Sequence, residues 1–214
     1  VDVIPNTIEV DVFKPYVKAE AKKMLKIPSN HFVIMSGFMP SKNDKHKGTQ
    51  YLIEALNELA SRPEIPKNEI ELVIFGNKDT KDIPEFPFKT TFLGTINKDD
   101  HLAKSYAAAD VFVLPSLEDN LPNTVMESLA CATPVVAFKT GGIPDMVKHL
   151  ENGYLAKYQS ATDLADGIEW LFLHEDRESV QKEARRTILN QFSPSVVAIK
   201  HEELYQTLIN ALPQ

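Results

Sequence analysis

The sequence predicts an α/β domain: an open, doubly wound parallel sheet of about six strands, with helices on both faces and a helical C-terminal tail. Short apolar runs rich in β-branched and aromatic residues recur without polar alternation, as in strands buried on both faces. Between them lie segments of helical period, and strands alternating with such segments imply right-handed βαβ units. The composition agrees: 214 residues, 43% hydrophobic and 25% charged, with 8 Gly and 14 Pro, excludes collagen-like and low-complexity chains and permits a sizeable core.

The elements follow in order. The chain opens on a Pro-punctuated extended segment, VDVIPNTIEVDVFKP. Strands are expected at Phe32 to Met35, Ile70 to Phe75, Thr91 to Leu93, Val111 to Leu114 and Pro134 to Phe138, with a last short apolar run at Gly153-Tyr154-Leu155. Leu52, Leu56, Leu59 and Ala60 share one helical face, and Leu102, Tyr106 and Ala109 another. After Leu155 only helical periods remain: Leu164, Ile168, Leu171 and Phe172; then Val180, Ala184 and Ile188; then Val197, Leu204, Leu208 and Leu212. Ser193 is placed to cap the last helix, with Pro194 in its first position.

Lys plus Arg is 23 and Asp plus Glu 30, a net charge of −7. That balance opposes a broad electrostatic footprint for nucleic acid or anionic lipid, so any anion site must be local. The single cysteine, Cys131, cannot form an internal disulfide and reads as a small core residue, in keeping with a reducing, cytoplasmic setting. No apolar run approaches the ~18 residues of a membrane span, and the N-terminus lacks the pattern of a signal peptide. The six histidines form no HExxH or zinc-ligand spacing, so no metal site is expected.

Open parallel sheets bind ligands where the C-terminal ends of strands turn into helix N-termini, which directs attention to four loops. Gly37 to Gly48 crowds Lys42, Lys45, His46 and Lys47 before a helix, a local anion site or a solvated loop; it is not a Walker sequence. The second loop is Gly76 to Thr80. In the third, Pro115 to Thr124, Glu118 and Asp119 precede a helix whose first-turn amides, at Asn123 and Thr124, suit a phosphate, with Glu127 one turn later. Asn120 or Asn123 is expected to cap that helix, which should run to about Ala132. Carboxylates flanking a phosphate site suit a phosphorylated carbohydrate or a ribose diol, or they merely complement the helix dipole. The fourth, KTGGIPD, places Gly141 and Gly142 where the backbone either approaches a ligand or makes a tight strand-to-helix turn.

The order of these motifs carries a resemblance. VIPNTIEVDVFKP, a strand ending in Gly with KG ten residues later, LVIFG, FLG, SYAAADVFVLPS, EDNLPNTVMESLACATPVVAFKTGGIPDMV and ENGYLA resemble, over nearly the whole chain, the C-terminal donor-binding domain of the retaining GT-B glycosyltransferases, the glycosyl transferases group 1 family. The resemblance implies one Rossmann-like half of a GT-B fold. Residues 1–15 would be the interdomain linker, 16–192 the nucleotide-sugar-binding domain, and 193–214 a helix crossing back to an N-terminal domain that this chain lacks, exposing an apolar face.

It also implies roles. The family's two acidic residues separated by seven match Asp119, in place of the usual Glu, and Glu127. Asp119 would face the donor sugar at the reacting carbon, Glu127 would hold the ribose hydroxyls, and the amides of Asn123 and Thr124 would meet the diphosphate. Lys47 would neutralise the diphosphate as it leaves, with Gly37 and Glu118 lining the same site. The implied reaction moves a sugar from a nucleotide-diphosphate sugar to a hydroxyl of a saccharide or lipid-linked acceptor, with retention and without a metal or other cofactor. Surface polysaccharide or glycolipid assembly, at the inner face of the membrane, is the family-level setting. The sequence departs from the pattern at Phe38, where the family usually has Arg, at Pro122, which has no N–H, at Ala132 and at Thr7. Two other readings stand beside the transferase: a carboxylate-dependent glycoside hydrolase and a non-catalytic phosphosugar- or protein-binding module.

Overall fold

A computed structural model of the chain describes residues 3–37, 48–76 and 85–210. Six parallel strands form one sheet in the order β3-β2-β1-β4-β5-β6: β1 Phe32–Gly37, β2 Ile70–Phe75, β3 Lys89–Gly94, β4 Val111–Leu114, β5 Val135–Phe138 and β6 Gly153–Ala156. The helices are α1 Lys18–Met24, α2 Thr49–Ser61, α3 Asp99–Ala108, α4 Asn123–Ala130, α5 Ile143–Met146, α6 Ala161–Leu173, α7 Arg177–Gln191 and α8 Pro194–Asn210. This is the doubly wound order of the Rossmann fold, with the direction of winding reversing between β1 and β4.

The unbroken apolar runs are explained by what lies on each face. Along β1, Val33 and Met35 join a cluster with Tyr106, Phe112, Leu129 and Ile188, on the side of α3, α4 and α7. The alternate residues Phe32 and Ile34 join Leu52, Leu56, Ile168 and Leu171, on the side of α2 and α6. Side chains of period two therefore fill two cores, and neither face can be polar. The register aligns Ile34 with Leu72 on one flank and with Val111 on the other.

Beneath the sheet, Asp110 just before β4 is buried and accepts Lys18 at 2.8 Å, Lys22 at 2.9 Å and the Val33 amide at 2.9 Å. Burial alone would push its carboxyl up; the two ammonium groups outweigh that and hold it below the usual aspartate value. The network ties α1 to the starts of β1 and β4.

The N-terminal segment packs on the domain, with Ile8 and Phe13 buried. Arg185 of α7 donates to the carbonyls of Val10, Phe13 and Ala130 at 2.7 to 2.9 Å. Pro194 opens α8 as expected, and the Ser193 carbonyl accepts the Val197 amide while its hydroxyl donates to the Leu189 carbonyl. Val197 is buried, whereas Ile199, Tyr205, Leu208 and Ile209 further along α8 are exposed.

Candidate functional site

In open sheets of this kind the winding reversal, here between β1 and β4, marks the ligand crevice outside the C-terminal ends of the strands. Gly37 ends β1, and the ring of Phe75 stands over it: a Cβ there would lie 3.3 Å from Phe75 Cζ. Residues 38–47 lie outside the described residues, and with them Lys42, Lys45, His46 and Lys47; so does most of the Gly76 to Thr80 loop. Gly48, before α2, has φ of +61°, and a Cβ there would fall 1.9 Å from the carbonyl oxygen of Pro115. The start of α2 thus lies against the first residue after β4, and this contact requires glycine on both steric and conformational grounds.

The loop between β4 and α4 carries Glu118, which is exposed, and Asp119, which is half-buried. It rests on the loop after β5. Thr140 Oγ1 donates to the Leu117 carbonyl at 3.0 Å, and the Gly142 amide to the Asp119 carbonyl at 3.3 Å. Added Cβ atoms on Gly141 and Gly142 would fall 1.8 Å from Asp119 O and 1.9 Å from Asn120 O. Gly141, at φ of +52°, makes the tight strand-to-helix turn, and both glycines have a use the spacing did not suggest, close approach to the backbone of the acid-bearing loop.

Asn123, Thr124 and Glu127 all lie on α4, Glu127 one turn beyond Asn123 on the same side. The expected asparagine cap is not found: Pro122 takes the N-cap position and no side chain caps the helix. Pro122's fixed φ suits this helix entry, and its carbonyl accepts the amides of Val125 and Met126 at 3.0 and 3.4 Å. The amides of Asn123 and Thr124 precede the first intrahelical bond, where a helix N-terminus offers donors to an anion. The helix ends at Ala130, two residues before the expected Ala132. There the Ala132 amide bonds to Leu129 O and the Thr133 amide to Ser128 O, a Schellman motif with Ala132 at φ of +60°.

Glu127 is half-buried, and the hydroxyl of Tyr106 donates to its Oε2 at 3.0 Å. Desolvation pushes the Glu127 carboxyl up; the Tyr106 bond opposes this and the charge of Asp99 adds to it. Burial and the neighbouring carboxylate hold the Tyr106 phenol well above its usual value, so its proton stays on oxygen. By sequence period alone Tyr106 is only a helix-face residue. A fully buried tyrosine needs a partner for its hydroxyl, and that was the available signal. Among the described residues no three His, Cys, Asp or Glu side chains cluster as metal ligands would, and no helix is long and apolar enough to cross a membrane.

Residues 30–174 match the model of the family described as glycosyl transferases group 1. The chain belongs to this family. The D-inositol 3-phosphate glycosyltransferase of Corynebacterium jeikeium is 28% identical over 220 residues, covering 96% of this chain and 51% of that protein. The sucrose-phosphate synthase of Thermosynechococcus elongatus superposes with a TM-score of 0.77 at 25% identity, over 99% of this chain and 53% of that one. HepE of Anabaena, solved with UDP-glucose, has the same fold, with a TM-score of 0.75 at 22% identity, over 98% of this chain and 57% of its own. The chain thus spans about half the length of these relatives, and the half it matches is the C-terminal domain of a group 1, GT-B glycosyltransferase.

Proposed function

We propose that this chain is the donor-binding half of a retaining glycosyltransferase that moves a sugar from a nucleotide-diphosphate sugar to an acceptor hydroxyl. The observation that carries the reading is the grouping around one helix start at the winding reversal. Asp119 precedes the open amides of Asn123 and Thr124, and Glu127 follows them, its carboxylate already oriented by a buried phenol.

In this reading the two amides and Lys47 receive the diphosphate, Glu127 accepts the ribose hydroxyls, and Asp119 and Glu118 accept hydroxyls of the donor sugar. Gly37, packed under the Phe75 ring at the end of β1, lines the same site. Asp119 is the catalytic residue, facing the anomeric carbon. The bond from that carbon to the phosphate oxygen breaks as the acceptor oxygen bonds on the same face, and the acceptor proton leaves with the nucleoside diphosphate. The helix amides and the positive charge of Lys47 stabilise the charge gathering on the departing diphosphate, and no resident cofactor is invoked. A saccharide or lipid-linked acceptor and an N-terminal domain of the same protein complete the reaction, in the assembly of a surface polysaccharide or glycolipid.

Calorimetric titration of the chain with UDP, GDP and ADP, and with the UDP-glucose found in the Anabaena neighbour, tests this. Saturable binding of one nucleotide, weakened at least tenfold in Glu127→Ala and in Lys47→Ala, is the expected result. A folded chain that binds none of them refutes the donor-site reading. Release of free sugar from UDP-glucose with no acceptor present would favour the hydrolase reading instead.

A further inference from the structure

Tyr106 lies on α3, away from the loops that open into the crevice, yet its one polar atom is directed at Glu127. Its ring is fully buried and meets the rings of Phe112 and Phe75 edge-on, at centroid separations of 5.3 and 6.0 Å. Its own carbonyl is fixed by the Thr133 hydroxyl at 2.7 Å. A phenylalanine would fill the same volume with no polar atom to satisfy, so the hydroxyl is not needed to pack the core.

We infer that Tyr106 is a positioning residue of the nucleotide site: its hydroxyl fixes the Glu127 carboxylate through Oε2, leaving Oε1 to accept a ribose hydroxyl. The inference rests on the proposed role of Glu127. A glutamate has three rotatable side-chain bonds, and a carboxylate at a ligand site gains from being held in one rotamer before the ligand arrives. The bond is charge-assisted, phenol to carboxylate, and so among the stronger kinds. The donor is itself immobilised, because two rings and a backbone hydrogen bond hold it. Phe75, one of those rings, also stands over Gly37, so one aromatic cluster supports both Glu127 and the end of β1.

The test is Tyr106→Phe in the 214-residue chain, titrated with UDP and with 2′,3′-dideoxy-UDP beside the wild type and Glu127→Ala. The expected result is a loss of about tenfold in UDP affinity with no change for the dideoxy nucleotide. Thermal unfolding should show the variant folded. The double variant Tyr106→Phe/Glu127→Ala should bind UDP no more weakly than Glu127→Ala alone, because the phenol acts only through the carboxylate. Equal weakening of both nucleotides in Tyr106→Phe, or weakening of neither, overturns the inference while a ribose-selective loss in Glu127→Ala leaves the role of Glu127 standing. If Glu127→Ala weakens both nucleotides alike, or no wild-type binding is seen, the role of Glu127 fails and the inference falls with it.

Discussion

A single added carbon at Gly142 tests whether the acid-bearing loop is held in place by the loop after β5. In Gly142→Ala the new Cβ would sit 1.9 Å from the Asn120 carbonyl oxygen, about 1.5 Å short of ordinary contact, and the obstructing atom is backbone. The φ of −88° at Gly142 suits any residue, so the substitution acts by crowding alone. Overpacking of this kind costs about 1–3 kcal/mol, and about 1 kcal/mol more is lost if the Gly142-to-Asp119 hydrogen bond breaks. For a chain of this size each kcal/mol lowers the melting temperature by about 2–4 °C. If the strain is relieved by moving the loop, Asp119 shifts by about an ångström, enough to cost about 100-fold in turnover by the full-length enzyme. Gly141→Ala adds a left-handed penalty of about 1–2 kcal/mol to the same crowding, because Gly141 has φ of +52°. It should be the less stable of the two variants. Urea unfolding and nucleotide titration measure both effects. A Gly142→Ala chain with wild-type stability and wild-type affinity would refute the claim that the glycines seat the acidic loop.

Three further outcomes are expected. Ala132→Gly removes a methyl group from a left-handed residue, φ +60°, and should stabilise the chain by about 0.5–1 kcal/mol in urea unfolding, the gain in strain exceeding the added freedom of the unfolded chain. Asp110→Ala leaves Lys22 buried with only carbonyl partners, from Ser29 and His31, and should cost about 3–5 kcal/mol. Since Asp110 titrates below its usual value when folded, its contribution is present above the unfolded aspartate value of about 3.9 and disappears as pH falls through the folded one. Acid unfolding followed by circular dichroism should accordingly be less steep in Asp110→Asn. Glu127 has the opposite sign: its folded carboxyl titrates above the usual value, so its contribution is present in acid and lost as pH rises. At neutral pH Glu127→Gln, which keeps an acceptor for Tyr106, should raise the melting temperature while weakening nucleotide binding, and the gain should shrink in acid.

The central strands were legible because they are buried on both faces, and a run such as Phe32 to Met35 has no other soluble explanation; the expectation of two-sided burial does not hold for β3, which lies at the sheet edge with Phe92 exposed. Their order was not written in the pattern itself: nothing in Val111 to Leu114 says that it pairs with β1 rather than β3, and the reversal follows from how the crossovers wind. The helix at Lys18–Met24 was not legible, because its apolar face is short and Lys22 is buried by pairing with Asp110. At the candidate site, Asp119, Asn123, Thr124 and Glu127 were legible as residue types at a spacing. Tyr106 was not, because a tyrosine on an apolar helix face looks like core until its hydroxyl is traced to a carboxylate 21 residues away. Pro122 displaced the expected asparagine caps because its preset backbone makes the helix entry without a side-chain oxygen.

The helix at the centre of the site is short, and its position is set from outside. Eight residues are too few for α4 to stand on its own propensity. At its C-terminal end the Schellman turn runs through a strained alanine, and Arg185 donates to the Ala130 carbonyl at 2.8 Å, a cation where the helix dipole is negative. At its N-terminal end the preceding loop lies on the glycines after β5, and between the two ends Tyr106 holds Glu127. These contacts come from α7, from the β5 loop and from α3, three parts of the chain far apart in sequence. Open amides and a desolvated carboxylate are costly to hold without a ligand, and contacts made by the rest of the fold are what can offset that cost. The same arrangement explains why substitutions at Gly142 and Tyr106, neither of which is assigned a contact with the ligand, are expected to change its binding.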